Sequence, residues 1–360
     1  IGRMMIDWWT AKDRDLPFWT GFSKNAFANL SIDWLGKRKI AYVISGVIIL
    51  AGLGSMIGRG FELGVDFKGG YSYTVQFNED DQVDATTIRT ALTESFGATP
   101  VVKAVSTENT FSVTTSYLIN DDSDNAADNV VKKLHEGINQ VVGGTLSLED
   151  FEDPDSRGVH VMSSSKVGPT IADDIKSSAV YATVFALLLI FLYIFIRFNK
   201  WQYSLGAVAA LFHDTLVVLG IFSLFYGILP FSLEIDQAFI AAILTVIGYS
   251  INDTVVVFDR IREYMNDYTN KSKEEIINMA INSTVSWTVI TSLTTLFVVA
   301  ILLFFGGTSI RGFAFALFIG IIVGTYSSIY VATPIMSDLT GDIEPKEKKK
   351  KSFSRAASTR

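Results

Sequence analysis

Three places in this 360-residue chain set polar or ionisable side chains inside otherwise apolar stretches. Asn252 and Asp253 sit within the run AFIAAILTVIGYSINDTVVVFDRIR that starts at Ala238. A carboxylate near the centre of a bilayer costs at least about 2.5–3.5 kcal/mol on insertion scales, so something must offset it: a paired cation, a proton, or water. Two chemistries follow. Burial raises a carboxyl pKa towards ambient pH and makes a proton carrier, or the group hydrogen-bonds between helices. His213 and Asp214 form a second pair in the run from Tyr203 to Tyr226. Histidine changes charge near neutrality, so the pair reads either as a proton relay or as a packing contact. Thr284, Thr288, Thr291 and Thr295 recur at helical spacing and form one polar stripe. That stripe lines a hydrated path or bonds to neighbouring helices.

These residues need membrane helices to hold them. Hydrophobic residues make up 49% of the chain and charged residues 19%, below the roughly 25% charged of a soluble domain. Six runs approach the ~20 apolar residues that span a bilayer: Ile40–Ile57, Ile175–Ile196, Tyr203–Tyr226, Ala238–Phe258, Ile276–Phe305 and Phe313–Met336. Seven Lys and Arg precede the first run, seven lie in the tail, and Arg311 alone falls in the short loops of the other side. The positive-inside rule therefore puts both ends in the cytoplasm. The expected organisation is a linker over 1–36, a first span over 37–58, an extracytoplasmic domain over 59–174, five spans over 175–339 and a basic tail over 340–360.

Residues 59–176 carry 20 acidic and 9 basic residues, a charge that argues against nucleic acid as a partner. The segment reads as α+β: a strand at Tyr71–Phe77, a helix at Asp84–Phe96 capped by Asp84, and strands at Thr99–Val105 and Thr110–Tyr117. A helix at Ala126–Val142 follows, then a last strand at Val159–Ser163, with Leu146–Phe151 as its competitor and Glu149–Asp155 as loop. The order β-α-β-β-α-β suggests a ferredoxin-like sandwich. His135 and His160 read as surface residues. Within 1–36, Trp8 and Trp9 suggest the end of an earlier helix, and Asp15–Trp34 an amphipathic segment on the lipid surface. Gly248, Gly320 and Gly324 read as close-packing positions. The chain has no Cys and three His, so thiolate chemistry is excluded and no metal site is expected. GxxxxGK[ST] is absent, so neither ATP hydrolysis within this chain nor an organic cofactor is expected.

Several stretches, taken in order, resemble the SecF branch of the SecD/SecF protein-export family. Phe61-Glu-Leu-Gly64-Val-Asp66-Phe67-Lys-Gly69-Gly70 is similar to its domain-joint signature; Val167-Gly168-Pro169, Gly248–Arg262 and Thr291–Thr295 are similar to its later motifs. The resemblance implies one six-helix half of a resistance-nodulation-division (RND) type membrane protein in the bacterial inner membrane, with protons as the coupling ion. It implies a SecD half as partner, fused to this one or separate, with the SecYEG channel, YajC or YidC, and an unfolded polypeptide in transit. It assigns proton flow to Asp253, joined here by Asn252, His213, Asp214, Thr288 and Thr291. Family members carry an Arg where this chain has Trp287, so that either the chain is a divergent paralogue, or another cation such as His213 serves Asp253, or proton coupling is weakened. The rival functions are a small-molecule efflux half of the same superfamily and a non-transporting scaffold of the translocon.

Overall fold

In the computed structural model the described residues are 30–341, apart from 79, 80, 82, 107, 108, 122, 124 and 230. Residues 15–29 of the interfacial segment expected over Asp15–Trp34, with Trp8 and Trp9 before it and the basic tail, lie outside them. Each apolar run becomes a helix, because a chain that leaves water must satisfy its backbone internally. Among the described residues six helices are long and apolar enough to cross a membrane: α1 (Arg38–Gly58), then α6 (Pro169–Phe198), α7 (Trp201–Phe225), α8 (Gln237–Asp267), α9 (Lys273–Phe305), and the pair α10 (Thr308–Ser327) and α11 (Thr333–Leu339). Between α1 and α6 come α2 (Val65–Lys68), β1 (Gly70–Gln76), α3 (Ala85–Phe96), β2 (Val101–Ser106), β3 (Thr110–Thr115), α4 (Ala126–Val141), α5 (Leu148–Glu152) and β4 (His160–Val167).

The long helices begin and end at recognisable signals. Gly168 precedes α6 with Pro169 in its first turn, and Asn199 ends it at φ 54°, the left-handed conformation that Asn tolerates. Asp236 caps α8 by accepting from the Phe239 amide at 2.7 Å, and Ser272 caps α9 through Glu275. The sixth span is not one regular helix: Ser328–Ala332 forms a π turn. Pro334 follows it and has no amide hydrogen for the carbonyl four residues back, while Thr333 Oγ1 donates to the Ser328 carbonyl at 2.8 Å. Nothing in the apolar pattern marks this turn.

Close approach of the helices rests on small residues. Gly52 of α1 faces Gly220 of α7; a Cβ on either would lie under 3.0 Å from the other's Cα. Gly320 and Gly324 of α10 sit against Val246 and Ser250 of α8. Gly248 does not belong with them: nothing lies within 4 Å of where its Cβ would be, and it faces outward with Asn252. Gly248 thus meets no other helix among the described residues, since it falls on the face of α8 opposite Val246 and Ser250. Helices α7 and α8 and the last span supply most of the buried core, whereas α6 is exposed along nearly all its length. Before α1, residues 32–35 are held to α9: Asn282 bonds both the Ile32 amide (3.1 Å) and its carbonyl (3.0 Å), and Asn278 accepts from the amides of Trp34 and Leu35.

The four strands form one antiparallel sheet in the order β2-β3-β1-β4. Tyr71, Tyr73 and Val75 of β1 point into a core with Ile88, Leu92 and Phe96 of α3 and Val130, Leu134 and Ile138 of α4. The alternate residues Ser72, Thr74 and Ser112 are only partly buried and make the other face polar. Three local expectations change. Glu149–Glu152 are helical, not loop, because Ser147 caps them through the Asp150 amide. The last strand begins at His160 and runs on to Val167, beyond the expected Ser163. His160 is buried and bonds the Gly158 carbonyl, and His135 is half-buried against Phe151 and the Leu146 carbonyl, so neither is a surface histidine.

Candidate proton site and domain joint

Asp253 lies on the face of α8 turned towards α9 and α10, and it is 1% exposed. Its Oδ2 accepts from Ser292 Oγ of α9 at 3.2 Å, and Ser292 Oγ in turn shares a 2.7 Å hydrogen bond with Thr325 Oγ1 of α10. Its Oδ1 has no partner among the described residues, nor has the buried hydroxyl of Thr288. A buried carboxylate oxygen without a donor is costly, and a bound proton is the simplest remedy the site itself allows. No Lys, Arg or His forms an ion pair with Asp253 among the described residues.

The structure separates several residues that the sequence grouped with Asp253. Asn252 is exposed, turned 100° round α8 from Asp253. Trp287 is 49% exposed on the outer face of α9, a full 100° of helix rotation from the buried Thr288. Thr291 spends its hydroxyl on the Trp287 and Thr288 carbonyls, and Thr284 on those of Ala280 and Ile281. Most of the threonine stripe therefore bonds its own helix. His213 does not stand in for the missing cation: its ring is bonded to Asp214 Oδ1 at 3.0 Å and to Ser45 Oγ at 3.0 Å. Asp214 is wholly buried, and its Oδ2 accepts from Ser250 of α8 at 2.7 Å and Ser327 of α10 at 2.8 Å. The two carboxylates thus occupy separate polar centres that both draw on α8 and α10. Ser45, Ser250, Thr325, Tyr326 and Ser327 were missed because hydroxyl residues among apolar ones carry no signal of which neighbour they face. The Gly320/Gly324 spacing was the one hint that α10 presents its small residues to α8.

The segment Phe61–Gly70 forms the joint between the helices and the sheet. Gly64 sits so close to Asp236 that a Cβ would lie 3.0 Å from the aspartate Cβ, and its amide donates to the Ile235 carbonyl at 2.9 Å. The Ile235 amide donates back to the Glu62 carbonyl at 2.8 Å. Asp66 Oδ2 accepts from the Gln237 amide at 3.0 Å, at the start of α8. Phe67 is buried and Phe61 half-buried in the same core as Phe239, Leu233 and Leu211. Gly69 has φ 72° and lies against Val167 and Pro169; Gly70 has φ 148° and would press a Cβ to 2.8 Å from the Thr115 carbonyl oxygen. Only glycine fits both positions. The motif thereby ties the start of α8 to β1, an inner strand of the sheet. Lys103 of β2 adds a charged tie, pairing with Glu62 at 2.9 Å and also with Glu234. A cavity of about 210 Å³ opens beside it, bounded by Thr74 and Ser112 of the sheet and by Ser232, Asp236 and Phe313.

Comparison with known proteins agrees with this arrangement. The family model described as protein export membrane protein SecD/SecF, C-terminal, matches residues 148–342, and that of the SecD/SecF GG motif matches residues 54–81. The chain belongs to the SecD/SecF protein-export family. The protein translocase subunit SecF of Rhodothermus marinus is 49% identical over 87% of this chain and 94% of its own length. SecF of Haemophilus influenzae is 34% identical over 85% and 86%. The crystal structure of SecDF, a translocon-associated membrane protein from Thermus thermophilus, superposes with a TM-score of 0.74 at 31% identity. It covers 93% of this chain, which spans 41% of that SecDF chain. A second SecDF structure, in a super-membrane-facing form, gives 0.60 at 32% identity. As a SecD/SecF family member with six such helices, the chain is a multi-pass membrane protein.

Proposed function

We propose that this protein is the SecF component of the bacterial Sec translocase, and that proton binding at Asp253 drives its part in moving polypeptides across the inner membrane. The observation that carries the reading is the fully buried Oδ1 of Asp253, without a partner among the described residues and set among hydroxyls from two other helices in mid-span. The SecF relatives and the SecDF structures favour export over small-molecule efflux. In this reading residues 59–174 form a ferredoxin-like extracytoplasmic domain, with 1–36 and 340–360 cytoplasmic, 37–58 the first span and 175–339 the other five. The SecD half, fused or separate, covers the exposed faces of α6, α8 and α9, with Asn252 and Trp287 towards it. The assembly acts with SecYEG, and with YajC or YidC, on the unfolded chain emerging outside.

A proton taken from the outer side neutralises Asp253, which loosens its demand for donors from α9 and α10. The helices repack, and the joint at Gly64, Asp66 and Gly69–Gly70 passes the movement to the sheet. Release of the proton inward restores the first arrangement. Such a cycle requires two conformations that differ in proton affinity. Thr288 and Thr291 line the route on α9, and no organic cofactor or ATP site takes part. Asp253→Asn keeps the shape and removes the exchangeable proton. Membrane vesicles carrying that variant should assemble normally and lose the proton-gradient stimulation of preprotein translocation; undiminished stimulation would reject the reading.

A further inference from the structure

The second polar centre permits a proton count that the first does not. Tyr326 O–H of α10 donates to the Ala41 carbonyl of α1 at 2.9 Å. Its only hydrogen is then used, so the 3.0 Å bond to Ser45 Oγ must run from the serine to the tyrosine. Ser45 has now spent its own hydrogen. The 3.0 Å contact with His213 Nε2 must therefore be donated by the imidazole. With Nε2 protonated, the 3.0 Å contact between Nδ1 and Asp214 Oδ1 needs one more hydrogen, on either atom. Without it two lone pairs would face each other in a site where His213 is 7% and Asp214 0% exposed.

We propose that His213 and Asp214 are a second proton-holding site, storing one exchangeable proton between them, with Tyr326 as the positioning residue that sets its affinity. This goes beyond the Asp253 reading and does not depend on it. When the proton leaves to water, the imidazole keeps one hydrogen, best placed on Nδ1 towards the charged Asp214. Nε2 then accepts from Ser45, Ser45 accepts from Tyr326, and the Tyr326 bond to Ala41 breaks. Deprotonation so reverses a chain of hydroxyls and unties α10 from α1 beside the π turn. Among the described residues nothing around the pair would pin the charge. Ser250 and Ser327 donate to Asp214 Oδ2 in either state. Asp253, one turn along α8, is turned to Ser292; Tyr249 is turned to Thr295; Tyr330 lies 5.2 Å from the Tyr326 ring; Tyr42 is exposed; and Arg38 at the start of α1 pairs with Asp338.

The test is nitrogen NMR of the ¹⁵N-histidine-labelled full chain in lipid nanodiscs, titrated from about pH 5 to about pH 8, the window of histidine charge change. The His213 signals are assigned by their loss in His213→Gln. The expected result is a transition from two protonated or shared ring nitrogens to one. Tyr326→Phe should move that transition to lower pH by about 0.5–1 unit, the worth of one net hydrogen bond, and it should persist in Asp253→Asn. A His213 spectrum that stays in one form across the range, or a transition unmoved by Tyr326→Phe, would overturn the assignment whatever the fate of the Asp253 reading.

Discussion

Replacing Gly320 by alanine tests whether the spacing of α8 and α10 holds both polar centres together. The new methyl carbon would lie 2.1 Å from Val246 Cγ2, 2.7 Å from Cγ1 and 3.0 Å from Cβ. A rotamer change moves the two γ carbons and leaves Cβ in place, so the helices themselves must part. Overpacking of this kind costs about 1–3 kcal/mol, against a helix-propensity gain of about 1 kcal/mol for Gly→Ala. The expected net loss is about 0–2 kcal/mol. Gly248→Ala on the same pair's outer face meets nothing within 4 Å and should be neutral or slightly stabilising in the isolated chain. The measurement is reversible unfolding in mixed micelles of the two single variants and of Gly320→Ala with Val246→Ala. The double variant should recover part of the loss, because it removes the γ carbons and leaves only the 3.0 Å approach to Cβ. Gly320→Ala as stable as Gly248→Ala would refute the packing argument, and with it the claim that α10 is held close enough to serve Asp214 and Ser292.

Lys103→Met should loosen the sheet from the membrane-proximal loops, seen as faster hydrogen exchange in β2 and around Glu234. Burial pushes the Lys103 ammonium below its usual pKa of 10.5, partly offset by its bond to Glu62. The unfolded chain then binds this proton more tightly than the folded one, so the penalty is full below the folded-state pKa and fades as pH rises towards 10.5; Lys103→Met should abolish that alkaline gain in stability. The Thr87 amide holds the Asp84 carboxyl below its usual 3.8, so this cap stabilises α3 above that pH and the contribution is lost as pH falls through the folded-state pKa. Asp84→Asn keeps a capping side chain and should flatten the acid limb of an unfolding titration without moving the neutral baseline far.

Much of the fold was legible because it is written in long periodicities. Runs of about twenty apolar residues have one outcome in a bilayer, and the alternation in Tyr71–Phe77 and the stripe Val130, Leu134, Ile138 each name a buried face. Helix ends were read less well: α6 starts at Pro169, before its apolar run, because Gly168-Pro169 is a start signal in its own right. Asp253 was legible as an expensive exception. Its partners were not, since Ser292 and Thr325 become a site only when three helices meet. Sequence neighbours misled for the same reason. Asn252 and Trp287 adjoin buried residues in the chain, yet a helix turns them 100° away. The link from the GG motif to α8 was also hidden, because Gly64 and Asp236 are far apart in sequence and meet through backbone bonds that carry no residue signature.

The most direct test of the central claim is proton movement itself. Inverted vesicles holding the complete translocase, with a pH-sensitive dye inside, are supplied with a preprotein that engages the channel. Substrate-dependent proton flow should appear with the natural chain and vanish in Asp253→Asn at equal protein content. Equal flow from both would contradict a proton-carrying role for Asp253 and leave the buried carboxyl as a structural link between helices.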